Sequence, residues 1–166
     1  MMDHALRYAA RGRNVFPVHW PRDGVCSCGR PDCSSPAKHP LTPHGLNDAT
    51  TNPEQIQKWW AQWPDANIGI VTGQVSGIVV VDVDLEKDGI ESWDQLCPTG
   101  WRVQILYSVT GSGGMHLYFQ APADELKSTA GTIAPGIDTR AEGGYVVAPP
   151  SLHISGQRYA WEPEGP

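Results

Sequence analysis

Apolar residues recur at two different spacings along the chain, and each change of spacing marks a change of element. Ala5, Leu6, Tyr8, Ala9 and Ala10 follow Asp3 at helical spacing and stop before Gly12, which predicts a short capped helix. Asn14 to Val18 reads as a short strand. Ile56, Trp59, Trp60 and Trp63 then form the apolar stripe of a second helix, opened by Asn52-Pro53-Glu54 and stopped by Pro64. Asn67 to Thr72 and Gly77 to Val83 predict strands, the second an apolar run suited to a buried central position. A helix is expected over Asp88 to Leu96. A hairpin is expected from Val103–Val109 and Met115–Gln120, turning at Gly111-Ser112-Gly113-Gly114. Gly136–Thr139, Gly144–Ala148 and Arg158–Trp161 read as further short strands. Early helices followed by hairpins predict an α+β fold with a mainly antiparallel sheet.

Between Trp20 and Leu46 neither period holds. Cys, Pro, Gly, Ser and His fill a stretch too long for an ordinary connection, so something other than an apolar core must order it. Cys26-x-Cys28-x4-Cys33-x5-His39 supplies the means: three thiolates and an imidazole form a closed tetrahedral Zn²⁺ site. His44 lies close by as an alternative fourth ligand, and Cys97, alone in a helix region, reads as a core residue.

Length and composition narrow the picture. At 166 residues, 40% hydrophobic and 18% charged, the chain is expected to be a single soluble domain over 1–166, with eighteen glycines and fifteen prolines demanding many turns. The first dozen residues have no signal-peptide core and the longest aliphatic run is Ile78–Val81, so a cytoplasmic protein with no membrane partner is expected. The Glu162–Pro166 ending reads as a linker, as in the N-terminal fragment of a longer protein. Charge is uneven. Residues 1–50 hold six Lys/Arg against four Asp/Glu, and residues 51–166 hold six against fourteen. A protein gripping nucleic acid by bulk charge would be basic overall. Here either nucleic acid is not the partner, or bound cations neutralise the acidic part.

Three segments carry candidate chemistry. In Val79-Val80-Val81-Asp82-Val83-Asp84 the alternation of a strand projects Asp82 and Asp84 to one face, where two carboxylates stay ionised if cations sit between them. Oxygen ligands of this kind suit Mg²⁺ or Mn²⁺ and serve two-metal phosphoryl and nucleotidyl transfer. A solvated strand end is the plainer alternative, since Glu86, Asp88, Glu91 and Asp94 follow. Ser112, Gly113 and Gly114 precede a strand on which His116, Tyr118 and Gln120 share a face; such a turn exposes backbone N–H groups to a phosphate and the imidazole can donate to it. Asp138 and Arg140 alternate on a third strand, fitting a further metal ligand beside a triphosphate clamp or else a surface ion pair.

In this order the motifs resemble the bifunctional DNA primase/polymerase domain of the archaeo-eukaryotic primase superfamily, from Ala5-Leu6-Arg7-Tyr8-Ala9 to Tyr159-Ala160-Trp161. Lys38-His39-Pro40, His44-Gly45-Leu46-Asn47-Asp48-Ala49-Thr50, Trp59-Trp60-Ala61-Gln62-Trp63-Pro64, Asn67–Gly73 and Tyr145–Ser151 also match. The resemblance implies an RNA-recognition-like sheet with a smaller N-terminal α/β part and the active site between them. It implies Asp82, Asp84 and Asp138 as ligands of two catalytic Mg²⁺ or Mn²⁺ ions. His116 is implied at the triphosphate of an NTP or dNTP, helped by Ser112, Arg140 and Lys127. Met115 stands where that family often has a polar or basic residue. A single-stranded DNA template or primer is the implied partner, with contacts expected from Arg11, Arg13, Arg22, Arg30 and Lys38. A helicase on the same longer replication protein is a further implied partner. A non-catalytic nucleotide-binding module and a two-metal phosphoesterase or nuclease are the competing readings; the nuclease needs no triphosphate clamp.

Overall fold

The computed structural model describes residues 1–97 and 105–162. Helix α1 (Met2–Ala10) buries Ala5, Tyr8 and Ala9, the i, i+3, i+4 stripe of its sequence. Asp3 lies in its first turn; Met1 holds the N-cap position, where its carbonyl rather than a side chain takes the first amides. Helix α2 (Pro53–Gln62) is capped by Asn52, whose side chain accepts from the Glu54 and Gln55 amides, and it buries Ile56 and Trp60. The indole of Trp60 donates to the Ala66 carbonyl at 3.0 Å, which fixes the turn leading out of the helix.

Strands β1 (Val15–Val18), β4 (Asn67–Val71) and β9 (Tyr145–Ala148) form one antiparallel sheet in the order β1-β4-β9. Strands β5 (Ile78–Val83), β6 (Tyr107–Val109), β7 (Met115–Gln120), β8 (Ile137–Arg140) and β10 (Ala160–Glu162) form a second, in the order β10-β6-β7-β5-β8, again all antiparallel. The expected hairpin is therefore present as β6 and β7; residues 103 and 104 of the first expected strand lie outside the described residues, as do residues 163–166 of the expected linker. Helix α3 (Gly89–Leu96) packs on the second sheet against β5 and β8.

The architecture is the expected α+β one, with a detail that no local pattern contains. The smaller α/β part, built on α1, α2, β1 and β4, is completed by β9 from late in the chain. Its core joins Ala5, Val15, Ile56, Trp60, Ile68 and Ile70 to Val80 and Ile78 of the second sheet, so β5 touches both halves. The opposite face of β5 packs Val81 and Val83 with Met115, Leu117 and Ile137. Met115 is thus a core residue. The Trp20–Leu46 stretch is not wholly irregular: β2 (Pro21–Arg22) and β3 (Val25–Cys26) form a miniature hairpin inside it. Among the described residues no helix is long and apolar enough to cross a membrane.

Candidate active site and metal centre

Strand register decides what Asp82 meets. On β5 it stands directly opposite His116 of β7 on one side and Asp138 of β8 on the other. Arg140, two residues along β8, lies on the same face as Asp138 and opposite Val80. Asp82, His116 and Asp138, drawn from a span of more than fifty positions in sequence, thus form one row across three strands. Asp84, just beyond β5, accepts the Glu86 amide at 3.1 Å and so starts a short 3-10 turn over Leu85–Lys87.

Each acid has an organic cation beside it. The Arg140 guanidinium donates to Asp82 at 3.1 Å and lies 3.5 Å from Asp138, while Lys87 pairs with Asp84 at 3.0 Å. Asp138 also accepts the Gly131 amide. His116 is buried, with Nε2 3.6 Å from Asp82 and Nδ1 lacking a hydrogen-bond partner among the described residues. Burial lowers the His116 pKa; the Asp82 carboxylate opposes this, and Arg140 and Lys38 reinforce it.

These groups line a cleft of about 670 Å³. Asp82, Asp84, Asp138, His116, Arg140 and Ser112 all face it. Ser112 sits in the β6–β7 turn, its hydroxyl 3.1 Å from that of Thr110, and the turn closes by Thr110 N–H donating to Gly114 at 2.8 Å. Gly113 has φ +90°, a conformation that favours glycine. Gly113 and Gly114 shape this turn rather than the cleft lining. Lys127 is exposed and its backbone bridges to Glu142; its neighbour Ser128 lines the cleft, but Lys127 does not. Of the five basic residues expected at a template, Lys38 lines this same cleft. Arg11 and Arg13 instead border a second cavity beside Tyr8, Tyr118 and Trp161.

Sequence reasoning did not single out His153, which also lines the cleft. Its Nδ1 meets the Ser155 hydroxyl at 2.9 Å, and that hydroxyl donates to Gly111 at 2.7 Å, tying the segment after Pro150 to the glycine turn. The Tyr145–Ser151 motif, which ends two residues before His153, is the nearest signal in the sequence. Three carboxylates in and beside one strand row can concentrate positive charge, and the adjoining imidazole, guanidinium and hydroxyl can receive an anion. Such a lining can in principle take a ligand that carries both signs, such as a metal-bound polyphosphate.

A second chemistry lies in the Cys-rich stretch. Ligand atoms of Cys26, Cys28, Cys33 and His39 all fall within 4.8 Å of one another, a grouping the three aspartates do not share. The Cys26 thiol and His39 Nε2 are 3.4 Å apart, near the roughly 3.6 Å that tetrahedral Zn–S and Zn–N bonds require. The backbone N–H of Arg30, followed by donors from His39, Cys26 and Cys33, pulls the Cys28 thiol down to about 6, so a thiolate is at hand at neutral pH. His44 is exposed and bonded to Asp48 at 2.9 Å, which leaves His39 as the imidazole of the group. The Cys₃His set could therefore hold zinc.

A search of curated proteins returned no match. Residues 5–166 match the family described as bifunctional DNA primase/polymerase, N-terminal.

Proposed function

Because the chain belongs to the bifunctional DNA primase/polymerase N-terminal family, whose role in general is primase/polymerase-type nucleotidyl transfer, we propose that this cleft joins nucleotides on a single-stranded DNA template. One observation carries the reading: Asp138, Asp82 and His116 form a single cross-strand row, with Arg140 on the same face, at the floor of a cleft large enough for a nucleotide. Asp82, Asp84 and Asp138 would hold two divalent ions, Mg²⁺ or Mn²⁺. Bound there, such ions would lower the pKa of the attacking 3′-hydroxyl and stabilise charge on the leaving pyrophosphate.

The chain's own residues do the rest. Arg140 and Lys87 neutralise the acids in the free protein and stand where they could meet a triphosphate. Arg140 can clamp phosphate oxygens with its planar fork. His116 donates to a phosphate oxygen from a buried position, where a charged hydrogen bond is stronger than in water. Ser112 completes the cradle. The 3′-hydroxyl attacks the α-phosphorus, the bond to the bridging oxygen breaks, and pyrophosphate departs. We infer from the same residues that the thiol group holds one structural Zn²⁺, which orders its loop.

The test is an incubation with a single-stranded template, labelled NTPs or dNTPs and Mg²⁺ or Mn²⁺, with and without a primer. New or lengthened strands are expected. Shortened strands would transfer the site to a nuclease, and nucleotide binding without synthesis would leave a binding module.

A further inference from the structure

Lys38 immediately precedes His39 in the Cys/His group, and it is half-buried at the cleft that contains Asp82 and His116. The cleft is lined by four carboxylates, from Asp82, Asp84, Glu86 and Asp138, and by three permanent cations, from Lys38, Lys87 and Arg140. Lys87 is held by Asp84, and Arg140 by Asp82 and Asp138. Among the described residues Lys38 alone of the three has no carboxylate within ion-pair distance. Its positive charge lies close enough to both His116 and His153 to oppose their protonation. A cleft-lining cation without a carboxylate partner is available to an anionic ligand.

The backbone around it is fixed on every side. Ala37 is fully buried in the left-handed region, at φ +60°, and its amide donates to the Cys26 thiol at 3.3 Å. Its carbonyl accepts from Asn67 at 3.1 Å. The carbonyl of Lys38 accepts the Tyr145 hydroxyl of β9 at 2.9 Å, and that of His39 accepts the His19 amide at 2.9 Å. Three successive peptide groups are therefore tied to the thiol group, to β4, to β9 and to the chain just beyond β1. A lysine stem is long and flexible, so fixing its backbone is what concentrates the ammonium at one place. One of the ties ends on the Cys26 thiol, and His39 is the next residue after Lys38; the side chains of both belong to the group that could hold zinc.

We propose that Lys38 binds the triphosphate of the incoming nucleotide and that metal held by Cys26, Cys28, Cys33 and His39 sets its position, coupling the metal loop to the catalytic cleft. The inference rests on the nucleotidyl-transfer reading above and adds to it a contact and a route of control.

The experiment titrates a non-hydrolysable dNTP with Mn²⁺ into zinc-loaded wild-type protein, Lys38→Ala and Lys38→Arg, and repeats each titration after zinc is stripped. A single-stranded oligonucleotide is titrated in parallel. Lys38→Ala is expected to weaken nucleotide binding about ten- to a hundred-fold, with Lys38→Arg intermediate and oligonucleotide binding unchanged. Stripping zinc is expected to weaken nucleotide binding in the wild type by a similar factor and to add little in Lys38→Ala. Equal nucleotide affinity in wild type and Lys38→Ala overturns the contact, as does a loss confined to the oligonucleotide, which moves Lys38 to the strand backbone. Additive losses from zinc removal and Lys38→Ala overturn the coupling. Because Lys38→Ala leaves every thiol in place, the contact stays testable even if the stripped protein melts. Absence of nucleotide binding by the wild type overturns the function reading itself, a result distinct from the others.

Discussion

At the scale of single residues, the charge state of each group in the cleft is set by its cross-strand neighbour. Asp82 is shared between Arg140 and His116, so removing it takes away a metal ligand under the proposed mechanism and also leaves Arg140 to Asp138 alone. Asp82→Ala, Asp84→Ala and Asp138→Ala are each expected to lower primer extension by several orders of magnitude, with the thermal midpoint little changed. Near-normal extension by Asp82→Ala would remove the mechanism. The buried histidines give a pH prediction with a definite sign. Burial lowers the pKa of His116 and of His153, aided in both cases by Lys38. The unfolded chain takes up these protons near the ordinary value of 6.5, so below that pH it binds more protons than the folded state and stability falls. Melting temperature should decline from pH 7 to pH 5, less steeply in His153→Asn; a rise over that window contradicts the burial account.

At the scale of elements, the acids are aimed by a close crossing of backbones. The Asp84 amide donates to the Gly136 carbonyl at 2.8 Å, joining the end of β5 to the chain entering β8. Gly136 has φ +67°, and a Cβ there would lie 2.6 Å from the Lys87 carbonyl and 2.7 Å from Gly89. Both neighbours are backbone and cannot swing aside. Gly131, in the same loop region, has φ +64° but open space around it. Thermal denaturation should separate the two effects. Gly131→Ala is expected to cost about 1 kcal/mol for the left-handed backbone alone, and Gly136→Ala several times more, through strain and the displaced crossing. Comparable losses in the two variants would show that the crossing tolerates movement.

At the scale of the whole molecule, Asn67 does what an apolar core cannot. It is buried at the start of β4, and its amide nitrogen donates to carbonyls of His19, Ala37 and Leu152 at 3.2, 3.1 and 2.8 Å. Its carbonyl accepts the Leu152 amide at 2.8 Å. One side chain thus gathers the chain after β1, the thiol loop and the segment leading to His153. Asn67→Ala leaves these groups without their partner and should destabilise the fold by about 3 kcal/mol or more, read from denaturant unfolding. The Cys₃His loop would add a second long-range tie on binding zinc. Protein prepared without chelators should contain about one zinc per chain, and Cys28→Ser should lower the melting temperature. Absence of zinc would remove that tie and leave the aspartate chemistry untouched.

The sequence by itself determined the local terms. Helical spacing gave α1 and α2, Asn52 and Pro53 marked where α2 begins, and the apolar run of β5 announced a strand buried on both faces. The order of motifs was enough to indicate the family that residues 5–166 match. These are legible because pitch, capping and side-chain alternation depend on neighbours a few residues apart. Tertiary structure decided what lies opposite what. Strand register set Asp82 between His116 and Asp138, β9 crossed over to complete the smaller sheet, and Asn67 and Tyr145 turned Lys38 from a residue of a Cys-rich loop into a cation of the cleft. Pairings across thirty to more than a hundred residues depend on how separate faces bury together, and that energy has no local pattern in the chain.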